Sequence, residues 1–109
     1  MTVKINLTPH DVTINVDGRS ETIKPTGLAR CAEKTVQVGL IDGWIPVFET
    51  EYGEVSGLPE PSEGTLYIVS AIVAKAKEVK SRTDVYVPAK TIRDEHGNVI
   101  GCVGLNKIS

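Results

Sequence analysis

At 109 residues the chain is too short to divide into two independently stable cores, so a single domain over residues 1–109, read below as ligand-binding, is expected. Its 40% hydrophobic and 24% charged residues match ordinary globular averages and exclude the composition of a disordered chain. A formal net charge of −2 excludes a general binder of nucleic-acid polymers, which needs a Lys/Arg excess, while a small anion needs only two or three well-placed cations.

Met1 leads directly into a charged, alternating segment with no apolar run long enough for a signal peptide or a membrane span, so no membrane partner and a cytoplasmic location are expected. Val3 to Leu7 alternates as a strand until Thr8-Pro9, where proline has no amide hydrogen to donate, and His10-Asp11 then falls in a corner. Val12 to Lys24 reads as a hairpin, because Asp17-Gly18 tolerates the positive φ angles of a two-residue turn between alternating segments. After the turn Pro25-Thr26-Gly27, residues Leu28 to Val38 form a longer, bulged strand ending at Gly39. Asp42-Gly43 makes a second turn, and Trp44 to Thr50 runs extended, with Pro46 marking an edge.

Gly53 to Gly64, rich in Gly, Pro and Ser, reads as the longest loop and hence as a functional one. Leu66 to Val69 is strongly apolar, and Ser70 then caps a helix over roughly Ala71 to Lys80, with apolar positions 69, 72, 73, 76 and 79 on one arc and Lys75 and Lys77 on its flanks. Asp84 to Val87 returns to strand and stops at Pro88, while Thr91 to Arg93 and Asn98 to Val103 flank a turn at Asp94-Glu95-His96-Gly97. The element order gives a mainly β or α+β class: an antiparallel β-sheet or sandwich with one short covering helix. Five aromatic rings, Trp44, Phe48, Tyr52, Tyr67 and Tyr86, leave a thin aliphatic core, which a subunit interface would complete. A homo-oligomer is therefore expected, with Cys31 and Cys102 as free, small apolar side chains.

No catalytic constellation is evident. His10 beside Asp11 and the Asp94-Glu95-His96 run sit in turns, where a solvated role outweighs catalysis, and no spacing supplies the ligand count of a metal cage. Gly101-Cys102-Val103-Gly104 has no following helix to make a phosphate loop, and Ser70 lacks the glycines of a nucleophile elbow. Neither a metal nor a cofactor is expected. The remaining candidates are cations. Arg30 interrupts an apolar run, Arg82 with Asp84 would give a mixed donor and acceptor site, and Arg93 precedes a hairpin turn, whereas Lys80 is accounted for by the helix dipole.

The segments INLTPHDVTI, LPEPSEGTLYIVSAIVAKA, RTDVYVP and RDEHGNVIGC have the look of small phage and prophage proteins, and their order over nearly the whole chain resembles the first-described Thoeris anti-defence family. That resemblance implies a non-catalytic homo-oligomeric sponge that sequesters a small anionic nucleotide, glycocyclic ADP-ribose and in some members cyclic oligonucleotides. The ligand-binding candidates are Arg30, Arg82, Asp84 and Arg93, with Tyr52 and Tyr67 as base-stacking platforms. Two alternatives come from other classes: a structural or assembly protein of a phage particle, and a small nucleotide hydrolase using His10 or the Asp94 to His96 cluster.

Overall fold

Alternation, turn chemistry and proline placement account for most of the strands seen in a computed structural model that describes residues 2–108. The chain is mainly β. Strand β1 (Val3–Asn6) ends before Pro9, and β2 (Val12–Val16) and β3 (Arg19–Ile23) form a tight hairpin. Its turn residues Asp17 and Gly18 both take positive φ, +47° and +83°. The same dipeptide chemistry at Asp42-Gly43 joins β4 (Arg30–Ile41) to β5 (Ile45–Ser56). Strand β6 (Thr65–Ile68), the short helices α1 (Ala71–Ala74) and α2 (Lys77–Lys80), and the hairpin of β7 (Val85–Arg93) with β8 (Val99–Lys107) complete the chain.

Six strands form one mixed sheet in the order β1-β6-β7-β8-β2-β3, with β2–β3 and β7–β8 antiparallel and β1–β6, β6–β7 and β2–β8 parallel. The β6 to β7 connection passes through α1 and α2, as a parallel pair requires a crossover. The sheet curls until its outer strands meet. Lys4 Nζ lies 2.9 Å from Glu21, Asn6 bridges to Pro25, and the Thr26 amide donates to the Asn6 carbonyl at 3.1 Å. Val12, Ile23, Ile68 and Cys102 are buried across the curl, with Ile14, Leu66 and Leu105 against them. Tyr67, alternating with Leu66 and Ile68, faces the opposite way and joins Leu7, Val69, Val73, Ala76, Val79 and Val85 under the helices.

Asn6 locks the seam. Fully buried, it donates from Nδ2 to the carbonyls of His10 and Ile23, both at 2.8 Å, and its Oδ1 accepts from the Thr8 amide at 2.9 Å and sits 2.7 Å from the Thr8 hydroxyl. Among the described residues no buried side-chain polar atom lacks a partner.

Several elements depart from the sequence expectations, each for a local reason. The sheet mixes parallel with antiparallel pairs: β6 lies between β1 and β7 and parallel to both, joined to β7 by the helical crossover, and β8 inserts between β7 and β2 and runs parallel to β2. The expected ten-residue helix is two short ones, separated where Ala76 is extended at ψ 138°, and Ile72 points to solvent. Pro88 lies inside β7, opposite Leu105, at a point where β7 has run past its pairing with β6 and needs no amide donor on that side. Strand β5 runs to Ser56, so the loop is confined to residues 57–64.

Strands β4 and β5 form a separate two-stranded arm with register shifts at Cys31/Glu33 and Gln37/Gly39. Cys31 and Val55 anchor its base on the core. Gly57 ends it in a left-handed conformation, φ +81°, where a Cβ would overlap the carbonyl oxygen of Leu28. Among the described residues no helix is long and apolar enough to cross a membrane.

Candidate functional site

The sequence candidates fall into separate places. Tyr67, Arg82 and Asp84 come together beneath the loop at 57–64. The Arg82 guanidinium donates from Nε and Nη2 to the two carboxylate oxygens of Asp84, each at 2.8 Å, and Nη2 also donates to the Pro59 carbonyl at 3.0 Å. The guanidinium carbon sits 5.9 Å from the centre of the buried Tyr67 ring, whose hydroxyl donates to the Glu60 carbonyl at 3.3 Å. This bidentate geometry holds the Asp84 carboxyl below the usual carboxylate range and raises the Arg82 pKa further. The cluster ties the loop to the end of α2. A cavity of about 330 Å³ beside it is lined by Ser62, Glu63, Ser81 and Thr83 together with the Arg82–Asp84 pair.

Arg30 opens β4 as an exposed residue opposite Ser56. Arg93 donates to the Gly97 carbonyl at 2.7 Å across its own turn. Neither is brought to Arg82. His10 contributes its backbone carbonyl to the seam, and its exposed ring makes no hydrogen bond to Asp11 among the described residues. Asp94 Oδ1 accepts from the amides of His96 and Asn98 at 2.8 and 2.9 Å, which is turn architecture, and the exposed His96 ring lies 3.6 Å from Glu95. Among the described residues no three His, Cys, Asp or Glu side chains are grouped to hold a metal ion.

Tyr52 marks a different cluster. It lies on β5 opposite Glu33, half-buried, with Lys75 Nζ 5.5 Å from the centre of its ring. Lys75, Lys77 and Lys80 line one cavity of about 390 Å³ with Tyr52 and Glu51. In an unbroken helix Lys75 and Lys77 would diverge by roughly 200°. The extended Ala76 between α1 and α2 resets the chain direction, so that both lysines and Lys80 face Tyr52 while Ala76 and Val79 stay buried. Among the described residues none of the three ammonium groups forms an ion pair. Glu78, the acid on the same helix, accepts from the Val55 amide at 2.6 Å. Partial burial, then the charges of Glu33 and Glu78, push the nearby Cys31 thiol up from its ordinary pKa.

The sequence singled out Tyr52 but assigned the lysines to a helix flank and a helix dipole. Their convergence depends on the break at Ala76, which no residue type there announces. Chemically, three cations against the single cavity carboxylate of Glu51, beside an aromatic ring, suit an anionic group attached to a planar ring. Comparison with protein-family models, with curated proteins and with solved structures finds no significant match.

Proposed function

We propose that this chain is a non-catalytic binding protein that holds a small, phosphate-bearing cyclic nucleotide, in the manner of the phage anti-defence sponges its sequence resembles, acting in the cytoplasm. The observation that carries the reading is the Lys75, Lys77 and Lys80 cluster around Tyr52. Phosphate would sit among the ammonium groups and the base against the tyrosine ring. The Arg82 site is the weaker host, because a phosphate there must displace a carboxylate already bound by two hydrogen bonds of 2.8 Å. Arg82, Asp84 and Tyr67 then fix the loop against the end of α2, the helix that carries Lys77 and Lys80, while Arg30 and Arg93 remain candidates only for a second anion contact. A local surplus of cations reconciles anion binding with a net charge of −2. The cavity is open, and in a homo-oligomer a second subunit would supply its missing wall.

A thermal-shift panel of cyclic ADP-ribose isomers and cyclic oligonucleotides tests the reading. At least one nucleotide should raise the melting temperature, and it should be recovered chemically unchanged after denaturation. Lys77→Ala and Lys80→Ala should each weaken it by roughly tenfold to a hundredfold, the loss of one charge-assisted hydrogen bond of about 1.5–3 kcal/mol. Silence across the panel sinks the sponge, and multiple turnovers to a linear product move the assignment to a hydrolase. A second reading, an assembly subunit of a phage particle, is favoured by the long β4–β5 arm and its water-exposed apolar tip. It predicts higher-order association and no nucleotide effect.

A further inference from the structure

The arm beyond its anchored base is at odds with its surroundings. An isolated two-stranded ribbon is marginal in water, yet from Gln37 to Phe48 this one pairs only with itself. Its tip carries Val38, Leu40, Ile41, Trp44, Ile45 and Phe48, all substantially exposed, Trp44 at 74% and Phe48 at 59%. Register places these residues on both sides of the ribbon. Leu40 opposes Pro46 and Ile41 opposes Ile45, and successive residues of a strand point to opposite faces. A strand pair that is apolar on both faces has the pattern of one covered on both faces. The arm also stretches the molecule: the radius of gyration is 16.7 Å, against about 13 Å for a compact domain of this length.

The body carries a concave counterpart. A groove of about 380 Å³ lies between the β7–β8 hairpin and the start of β2, lined by Pro88, Val99, Ile100, Thr13 and His10 among others. Val99 and Ile100 are each more than half exposed there. Each chain thus presents one apolar projection and one recess of mixed lining, in which Val99, Ile100 and Pro88 stand beside the polar His10, Asp11, Thr13 and Thr91.

We propose that the arm tip docks into the His10, Pro88 and Ile100 groove of a second copy of this chain, each copy lending its arm to the other about a two-fold axis. Area favours a second copy as occupant. Taking ~150–250 Å² for a whole aromatic side chain, Trp44 and Phe48 alone leave about 300 Å² in water, and the four aliphatic residues bring the tip to roughly 500 Å². With one face of each tip seated, about half of that area, two reciprocal contacts counted on both surfaces bury about 1,000 Å², the size at which a specific interface begins. A closed exchange also leaves neither projection nor recess open, so association stops at two. The inference deepens the homo-oligomer part of the proposed function and is independent of its ligand part.

Trp44 is the chain's one tryptophan, so its fluorescence reports the tip without labelling. Wild-type protein without nucleotide is diluted from the high micromolar to the nanomolar range while sedimentation gives the mass. The expected result is a dimer whose emission moves to longer wavelength, and whose acrylamide quenching rises, as it dissociates to monomers. Ile100→Asp should give a monomer with water-exposed emission at every concentration and an unchanged far-UV circular dichroism spectrum. Phe48→Ser should also be monomeric, and mixing it with Ile100→Asp should restore weak association through the one intact contact. A wild-type monomer with exposed emission throughout overturns the second copy as occupant. A dimeric Ile100→Asp with shielded emission, or association lost only in the tip variant, overturns the groove as the seat. Because no nucleotide is present, either failure leaves the ligand reading standing, and a silent nucleotide panel leaves the dimer standing.

Discussion

Replacing Asn6 by Ala should open the seam of the curled sheet. The native side chain is fully buried and satisfies the Ile23 carbonyl, the His10 carbonyl and the Thr8 amide. Water can reach His10, which is exposed, but Thr8 is buried, so the variant leaves the Thr8 amide unpaired inside and takes the second hydrogen bond from the Ile23 carbonyl, which keeps only its ladder partner Val12. The orphaned amide costs about 1–3 kcal/mol and the lost second bond about 0.5–1.5 kcal/mol, about 1.5–4.5 kcal/mol in total. The whole stability of a domain this size is about 5–15 kcal/mol, so the loss is a large share. Urea denaturation followed by circular dichroism measures it: with a slope of about 1–3 kcal/mol per molar, the midpoint should fall by at least about 0.5 M at unchanged slope. Asn6→Asp should be no better, since a carboxylate keeps the acceptor for Thr8 but cannot donate to the two carbonyls. A loss under about 1 kcal/mol for Asn6→Ala would show that the seam closes without its clamp.

Other expectations follow from the same structure. The depressed Asp84 pKa means the Arg82–Asp84 bond contributes stability above the unfolded carboxylate's pKa of about 3.9, which is lost as pH falls through the lower folded value. The urea midpoints of wild type and Asp84→Asn should therefore differ by a constant amount from pH 7 to about pH 5 and converge in stronger acid, and a gap that persists unchanged in acid refutes the coupling. Gly57→Ala, which must fit a methyl group against the Leu28 carbonyl at positive φ, should lower the melting temperature by at least several degrees, a shift that calorimetry reads directly. Cys31, with its pKa raised, should react slowly with Ellman's reagent at pH 7 and faster as pH rises, and buried Cys102 only in denaturant; two fast thiols in the native protein contradict both placements.

The parts of the fold legible in the sequence are those that local chemistry decides. Asp17-Gly18 and Asp42-Gly43 demand positive φ, and both make hairpin turns. The bulged character of β4 and the apolar β6 were also readable. What stayed hidden depends on distant partners. Ala71 to Lys80 carries good helix formers throughout, so nothing local announces that Ala76 is extended. Without that break Lys75, Lys77 and Lys80 read as separate surface charges. The INLTPHD segment drew attention to His10, yet its working side chains are Asn6 and Thr8, and His10 supplies a carbonyl. An asparagine between Ile5 and Leu7 in a strand was the available clue, since a polar residue in such a setting needs buried partners.

The pairing of β2 with β8, where Ile14 meets Cys102, sets an order of events during synthesis. Strands from opposite ends of the chain must find each other, and loop closure over such a separation slows folding. The arm can zip up as soon as Ser56 has left the ribosome, because β4 and β5 are joined by a tight turn. The β2–β3 hairpin can pair as early through its own tight turn, but its other edge must wait. Until Val99 to Lys107 emerges, the edge of β2 that will receive β8 is bare to solvent. During that interval a chaperone or a neighbouring nascent chain has its opening, and a ribosome stalled shortly before Val99 would leave a chain whose arm is formed and whose sheet cannot close.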